Sequence, residues 1–537
     1  MPHLEQLAAA FDRHPSNSTH YYLDGEFTQR GNPKISFMQK RQILINAGLS
    51  VLQVVISGVI LFFLYRYLLS TIGVRRLGIW SIVLATTAAT RVGDFGFSGS
   101  IVKFVAKYLA RGEPGMTNDV IQTGVLSMAV LIGLILLIAY PLAEVFLGYF
   151  VPAEGLKEAL LILPYALASL WVSSIAGVFQ SALDGCQRID LRSLMLIAGG
   201  AIYFGLVLWL VPLFGMLGLA YAQVLQSAAL LLLSWFLLKH ELRFLPLFPY
   251  RWSRSKFTEM LRYGVNFQIS SIFTMLCDPV TKAMLSKFGG LAMVGYYEMA
   301  NRMVTQFRAI LVSANQVLIP VVAGLHEQAP EKIRSLYNDS YRLLLYVALP
   351  VYGGIAALSP LISALWIGQY ETVFVQFTSL LTIAMLFNGL VNPAYFANLG
   401  TGRLYWNTVS AITVGIMNAC LGLLLGKFFG GIGVVVAWAV AFSFGSSIVV
   451  VAYHIEHEIP FRKLIPSESM SLVLMCILGI GLVHLLYSKM SGHVATTSLS
   501  LLSITIYIAI VAIPIWKHPM REKLMGWLFH NIAKPIH

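Results

Sequence analysis

The sequence predicts an all-α polytopic membrane protein. It has about 14 transmembrane helices, in two pseudo-symmetric six-helix lobes plus two C-terminal helices. Three observations predict this. Of the 537 residues, 57% are hydrophobic and 11% charged, with a mean hydropathy of +0.74; a soluble domain carries about 25% charged residues. Apolar runs long enough to cross a bilayer recur along the whole chain. The two halves of the chain also echo each other at a constant offset.

Residues 1–40 are polar, lack the apolar core of a cleaved signal peptide, and read as a cytoplasmic N-terminal tail. The spans that follow lie near 43–68, 77–102, 119–141, 158–181, 193–212, 216–238, 263–286, 295–322, 342–366, 373–397, 405–427, 431–454, 470–488 and 497–516. "ILINAGLSVLQVVISGVILFFLY" and "SLVLMCILGIGLVHLLY" show the apolar length that a crossing needs. Spans 2, 7 and 8 stand apart because they contain charges. Grouped, the spans give an N lobe at 41–240 (helices 1–6), a cytoplasmic inter-lobe linker at 241–262 and a C lobe at 263–455 (helices 7–12). Helices 13 and 14 occupy 456–516, and 517–537 is a cytoplasmic C-terminal tail.

The formal charge of +13 invites a nucleic-acid reading, but its distribution points to topology. With the N-terminus inside, roughly 26 of the 37 basic residues fall on cytoplasmic segments and roughly 6 on outer loops. The loop from Lys239 to Arg262 is the longest inner one. Both termini are expected in the cytoplasm. The basic loops set orientation and touch anionic membrane lipids, with no nucleic-acid partner.

The repeat is carried by matched landmarks. "LDGCQRIDLRSL" precedes a span ending "LFGMLGLAYAQ", and "NLGTGRLYWNTV" precedes one ending "FFGGIGVVVAW". Arg188 and Arg403 are 215 positions apart, as are Gly215 and Gly430, and Gly218 and Gly433. "LGIW" at Leu77 is echoed by "VGYY" at Val294. Six spans separate the copies, so the halves are parallel repeats about an axis along the membrane normal.

Enzyme chemistry finds no foothold. Cys186, Cys277, Cys420 and Cys476 are scattered through apolar spans and read as buried thiols, without metal or disulfide spacing. "YHIEHEIPF" lacks the HExxH order of a zinc helix. The short outer loops hold no catalytic cluster, and there is no P-loop. Neither a catalytic residue nor a metal or cofactor is expected.

What needs explaining is charge at membrane depth, which costs roughly 2.5–3.5 kcal/mol per residue at a helix centre. Arg91 and Asp94 are spaced i, i+3; Asp278 and Lys282 are i, i+4, as are Glu298 and Arg302. Each pair meets on one helix face. With Arg66, Lys103 and Arg308 added, cations outnumber anions, all in spans 1, 2, 7 and 8. A cleft between two lobes brings those spans together, and such residues face a wet pathway rather than lipid. A basic cleft selects an anion, with arginine offering the planar fork that suits phosphate. Tyr65, Trp80, Tyr296, Tyr297, Asn301 and Gln306 are its aromatic and amide neighbours. Trp80 and Tyr297 read equally well as stacking platforms or as interfacial belt residues. Gly93, Gly96, Gly99, Pro279, Asn392 and Pro393 mark breaks in the helices.

"RRLGIWSIV…GDFGFSGSIVKFVAKYLARG", "GGLAMVGYYEMANRM" with "LIPVVAGL", "YVALPVYGGIAALSPLISALWIG" and "ANLGTGR" with "GGIGVVVAWAV" together resemble bacterial polysaccharide and O-antigen flippases. These belong to the multidrug, oligosaccharidyl-lipid and polysaccharide exporter superfamily, and the likeness runs from about residue 40 to 455. The resemblance implies two six-helix lobes working by alternating access. It also implies a lipid-linked oligosaccharide on undecaprenyl pyrophosphate, moved from inner to outer leaflet for exopolysaccharide or O-antigen synthesis. A polysaccharide polymerase and a chain-length regulator are the expected protein partners. Fourteen spans are also the number in lipid II flippases, which stand as the alternative. A cation-coupled multidrug exporter is a third reading, opposed by the absence of a carboxylate between Gln42 and Tyr65. On this basis Arg66, Arg91, Lys103, Lys282, Arg302 and Arg308 are expected to contact substrate. Asp94, Asp278 and Glu298 are expected to balance charge or couple transport to a proton or sodium ion.

Overall fold

The computed structural model describes residues 33–89, 96–315, 318–490 and 496–524. The expected pair Arg91 and Asp94, and Gly93, lie outside the described residues. Residues 1–48 form a small separate unit, described only as the start of the first helix. Among the described residues the protein is α-helical, with two short 3₁₀ turns and no strand.

The helices of the N-terminal half are α1 (Pro33–Ala89), α2 (Phe97–Ala110), α3 (Pro114–Phe150), α4 (Ala153–Gly185), α5 (Ile189–Phe214) and α6 (Met216–Glu241). Next come α7 (Arg254–Gly289), α8 (Leu291–Asn315), α9 (Leu318–Gln328), α10 (Ile333–Ala357), α11 (Ser359–Trp366), α12 (Thr372–Leu390), α13 (Asn392–Thr401) and α14 (Tyr405–Glu456). The chain ends in α15 (Ser467–Met490) and α16 (Thr496–Lys517).

Ten of these segments are long and apolar enough to cross a membrane. The 52-residue α14 holds two crossings, because it turns back at Gly430. The expected spans 2, 7 and 8 correspond to the stretch after Gly73 with α2, to α7, and to α8 with α9; they do not register as separate crossings by length and composition. The chain is a multi-pass membrane protein. The span expected over 77–102 is not one helix: a new helix starts at Phe97, just after Gly96. Gly96, at φ 72°, sits against the Gly264 backbone on α7, where a side chain would have no room. Span 10 divides at Asn392–Pro393, but α7 continues unbroken through Pro279.

Small residues bring the helices of each half together. Gly422 and Gly426, one turn apart on α14, receive Met284 and Phe288, one turn apart on α7. Such close approach substitutes for the hydrophobic drive that is missing between helices in lipid. In the C-terminal half α12 packs against α8, α10 and α14; in the N-terminal half α4 packs against α3 and α6. The appended helices α15 and α16 pair with each other, and α15 lies on α10.

The repeat is written in the backbone. Gly215 (φ 56°, ψ −126°) and Gly430 (φ 62°, ψ −148°) make the same rare turn. Gln187 and Gly402, also 215 apart, both adopt the left-handed conformation. Each then places the next N–H on the carbonyl five residues back, Arg188 on Leu183 and Arg403 on Asn398, a Schellman helix ending. A second register, offset by 217, matches Gly73 (φ 79°, ψ 163°) with Gly290 (φ 81°, ψ 171°).

Two sequence expectations about side chains are corrected. Cys277 and Cys476 are buried, but Cys186 is half-buried and Cys420 exposed. Trp80 (4% exposed) and Tyr297 (0%) are core residues, neither interfacial nor open to a ligand.

Candidate functional site

The centre of the site is the Glu298 carboxylate on α8, 2% exposed. Its Oε1 accepts from the Tyr65 hydroxyl at 3.0 Å and from Arg302 Nε at 2.7 Å. Its Oε2 accepts from the Ser81 hydroxyl at 2.8 Å and from Lys282 Nζ at 2.6 Å. Every lone-pair direction of the carboxylate is thereby used. Lys282 Nζ also reaches Asp278 Oδ2 at 2.7 Å, and Asn301 donates to Asp278 Oδ1 at 3.4 Å. Tyr65 and Ser81 lie on the two arms of α1, either side of Gly73. Asp278 and Lys282 lie on α7. Thus spans 1, 2, 7 and 8 converge on one buried carboxylate.

The same end of the helices is held by a glycine contact with two-fold character. A Cβ on Gly78 would strike the Leu291 carbonyl, and one on Gly295 would strike the Val74 carbonyl. Gly78 and Gly295 are 217 apart, and so are Val74 and Leu291, so the contact is reciprocal. Trp366 Nε1 donates to the Phe62 carbonyl at 2.8 Å nearby. Farther along α8, the Gln306 amide donates to the Val54 carbonyl at 3.0 Å. At the opposite end α2 meets α7. There Ser100 donates to the Met260 carbonyl at 2.8 Å, and Lys107, Tyr108 and Lys256 gather on Glu259.

The predicted residues sort into distinct environments. Lys282 is 4% exposed and held by two carboxylates, so this conformation leaves it no face toward a cleft. Arg302 is fixed through Nε yet keeps 48% of its side chain accessible, and Asp278 keeps 42%. Arg308 donates from Nε to Asn388 Oδ1 at 2.8 Å and has no carboxylate partner among the described residues. Asn388 in turn donates to Ser446 at 3.0 Å. Lys103 Nζ stands 3.8 Å from the centre of the Tyr263 ring, and Arg66 is exposed beside Tyr65. The Glu298 cluster is therefore charge-balanced, two cations against two anions. The positive excess sits on Arg66, Lys103 and Arg308. Tyr65 and Ser81 as Glu298 ligands were missed by sequence reasoning, because hydroxyls in apolar spans give no periodic signal. The nearest signal was the "LGIW"/"VGYY" echo, which places those spans against each other.

Residues 43–326, just over half of the chain, match the polysaccharide biosynthesis protein family. The chain belongs to that family. No curated protein matches it in sequence. The fold is shared with a multidrug resistance MATE family transporter of the MOP superfamily in its inward-facing conformation. That match has 14% identity and a TM-score of 0.66, covering 74% of this chain and 94% of the other. The lipid II flippase MurJ in an inward closed conformation matches at 13% identity and TM-score 0.64, over 90% of this chain and all of its own. The Vibrio cholerae MATE transporter VcmN in its bent form gives 15% identity and TM-score 0.54, covering 79% and 98%. These three solved structures, which share this polysaccharide biosynthesis protein's fold, are two transporters and a flippase, not enzymes.

Proposed function

We propose that the protein flips a lipid-linked oligosaccharide, carried on undecaprenyl pyrophosphate, from the inner to the outer leaflet of the bacterial cytoplasmic membrane. The observation that carries the reading is the convergence of both halves on Glu298, together with Arg308 farther along α8, a cation without a carboxylate partner among the described residues. A closed outer end and a basic interior are what an inward-loading anion carrier needs. Membership of the polysaccharide biosynthesis family supports a glycan cargo. The product would feed exopolysaccharide or O-antigen synthesis, with a polymerase and a chain-length regulator acting after it.

In this reading Gly73 and Gly290 lie at the outer face, and the reciprocal glycine contact is the outer gate. Arg302 and Arg308 meet the pyrophosphate or acidic sugars as they pass, because the fork of arginine matches phosphate and carboxylate oxygens. Arg66 would receive the headgroup at the exit. Asp278 is the carboxylate open enough to exchange a proton or bind sodium and so couple the cycle. The lipid tail stays in the bilayer throughout. A lipid II-type cargo is the second reading, favoured by the 14 spans expected from the sequence and by the likeness to MurJ over its full length.

The test is transport in proteoliposomes with three fluorescent cargoes, an undecaprenyl-pyrophosphate oligosaccharide, lipid II and a cationic drug. Movement of the oligosaccharide alone supports the proposal. Movement of lipid II alone replaces it with the second reading, and movement of a cationic drug alone refutes both.

A further inference from the structure

The segment joining α6 to α7 folds back on α3 and builds a groove there. Pro246 and Pro249 keep residues 242–253 out of a helix, so their backbone groups need other partners. Gln122 Oε1, on α3, accepts the N–H groups of Tyr250 at 2.9 Å and Arg251 at 3.0 Å. Thr123 Oγ1 accepts that of Ser253 at 3.1 Å. The Trp252 indole N–H donates to Ser127 Oγ at 3.0 Å. Four bonds along one helix turn and a half fix the segment and stand the Trp252 ring up as a wall. Between that wall, Phe257 and α3 lies a cavity of about 380 Å³, lined by Leu126, Ser127, Val130, Leu131, Trp252 and Phe257.

The surroundings say what would fill it. The groove opens onto the exposed apolar face of α3, where Val130, Leu134 and Leu137 are each more than half accessible. In a membrane that face is covered by hydrocarbon, so the cavity is continuous with acyl chains. Phe248 and Tyr250, 79% and 70% exposed, mark the level of the headgroups. Above the groove the rim is basic. Arg243, Arg251 and Arg254 are exposed. Arg251 comes only within 3.9 Å of Asp119, and Arg243 and Arg254 make no ion pair among the described residues. Lys256, by contrast, is already engaged by Tyr108 and Glu259.

We propose that this groove is a specific site for an anionic phospholipid, with one acyl chain against Trp252 and the phosphate held by Arg251 and Arg254. The site lies on the segment that joins the two halves, so its occupant would tether that segment to the bilayer. It is independent of which cargo the protein moves.

The test uses the full-length protein in nanodiscs with lipids brominated on the acyl chain. The Trp252 signal is taken as the fluorescence difference between wild type and Trp252→Phe. Brominated phosphatidylglycerol should quench it at a several-fold lower mole fraction than brominated phosphatidylcholine. Arg251→Ala with Arg254→Ala should erase that preference, and Val130→Phe, which fills the groove, should weaken quenching by both lipids. Native mass spectrometry of wild type and the double arginine variant supplies a readout that does not depend on Trp252. The wild type should retain phosphatidylglycerol through delipidation and the variant should lose it. Equal quenching by both lipids, meaning annular contact only, or a preference unchanged in the arginine variant, overturns the proposal.

Discussion

Lys282 Nζ lies 2.6 Å from Glu298 Oε2 and 2.7 Å from Asp278 Oδ2, so one buried ammonium ties α7 to α8. Its two partners are not equivalent. Glu298 is buried and Asp278 is 42% exposed. Removing one member of a buried pair leaves an uncompensated charge, at about 3–5 kcal/mol, whereas a partly solvated ion pair contributes about 1 kcal/mol or less. Glu298→Gln should therefore lower the melting temperature steeply in detergent. Asp278→Asn should lower it little, because Lys282 keeps Glu298. The double variant Glu298→Gln with Lys282→Gln should recover most of the loss. Equal effects of the two single carboxylate variants would show that burial does not govern this cluster.

The reciprocal contact of Gly78 and Gly295 makes a symmetric prediction. A methyl group at either position meets a backbone carbonyl, which cannot rotate away. Overpacking of this kind costs typically about 1–3 kcal/mol. Gly78→Ala and Gly295→Ala should each destabilise the protein by a similar amount and impair transport together. A control at Gly99, where nothing lies within 4 Å, should be close to neutral. Thermal unfolding of the three variants side by side is the measurement.

Arg308 is held by a neutral amide, so its charge is not consumed by the fold. Losing it removes the hydrogen bond to Asn388 but leaves no unpaired charge behind, so the protein should still fold and express, with a melting temperature lowered far less than by Glu298→Gln. A hydrogen bond to a charged group contributes about 1.5–3 kcal/mol, and each 1.4 kcal/mol is about tenfold. Arg308→Ala should therefore reduce flipping by about one to two orders of magnitude. Arg308→Lys should rescue part of this, because it keeps the charge and loses the fork. Wild-type flipping by the alanine variant would remove Arg308 from the pathway.

His518, just beyond α16, gives a pH dependence. Burial holds its imidazole below the ordinary histidine pKa. Its Nδ1 accepts the Met520 N–H at 3.2 Å, and Nε2 faces the Ser469 hydroxyl at 3.1 Å. The ring must be neutral to accept at Nδ1. A lowered folded pKa means that the unfolded chain binds the proton first. The stabilisation is therefore complete above the unfolded value near 6.5 and is lost as pH falls through the folded value. Melting temperature should drop as pH falls below about 6.5 in wild type, and less steeply in His518→Gln. Parallel pH profiles would contradict this.

The sequence carried the fold well and the site in part. The 215-residue offset was legible because turns need particular residues: Gly215 and Gly430 are glycines for the same backbone reason. The i, i+4 pairs were legible because helical spacing fixes their contacts. Lys282 bonding a second carboxylate was not, since it depends on how α7 docks on α8. Tyr65 was legible as a neighbour of the cleft, but its bond to Glu298 was not, and Ser81 was missed altogether, each lying more than 200 positions from Glu298. Gly96 was marked as a break, yet the span was carried through it to residue 102, because glycine is common in membrane helices. Only the contact of Gly96 with Gly264 shows why the chain turns there.

The central claim is that the two halves must part where Val74 meets Gly295 and Gly78 meets Leu291. The most direct measurement is flipping by a Val74→Cys, Leu291→Cys variant, made in a chain without other cysteines and joined by a short reducible thiol cross-linker. The cargo is undecaprenyl-pyrophosphate-linked oligosaccharide in proteoliposomes. The account predicts no flipping while the link is intact and recovery to the level of the unlinked variant after reduction. Undiminished flipping by the cross-linked protein would contradict it.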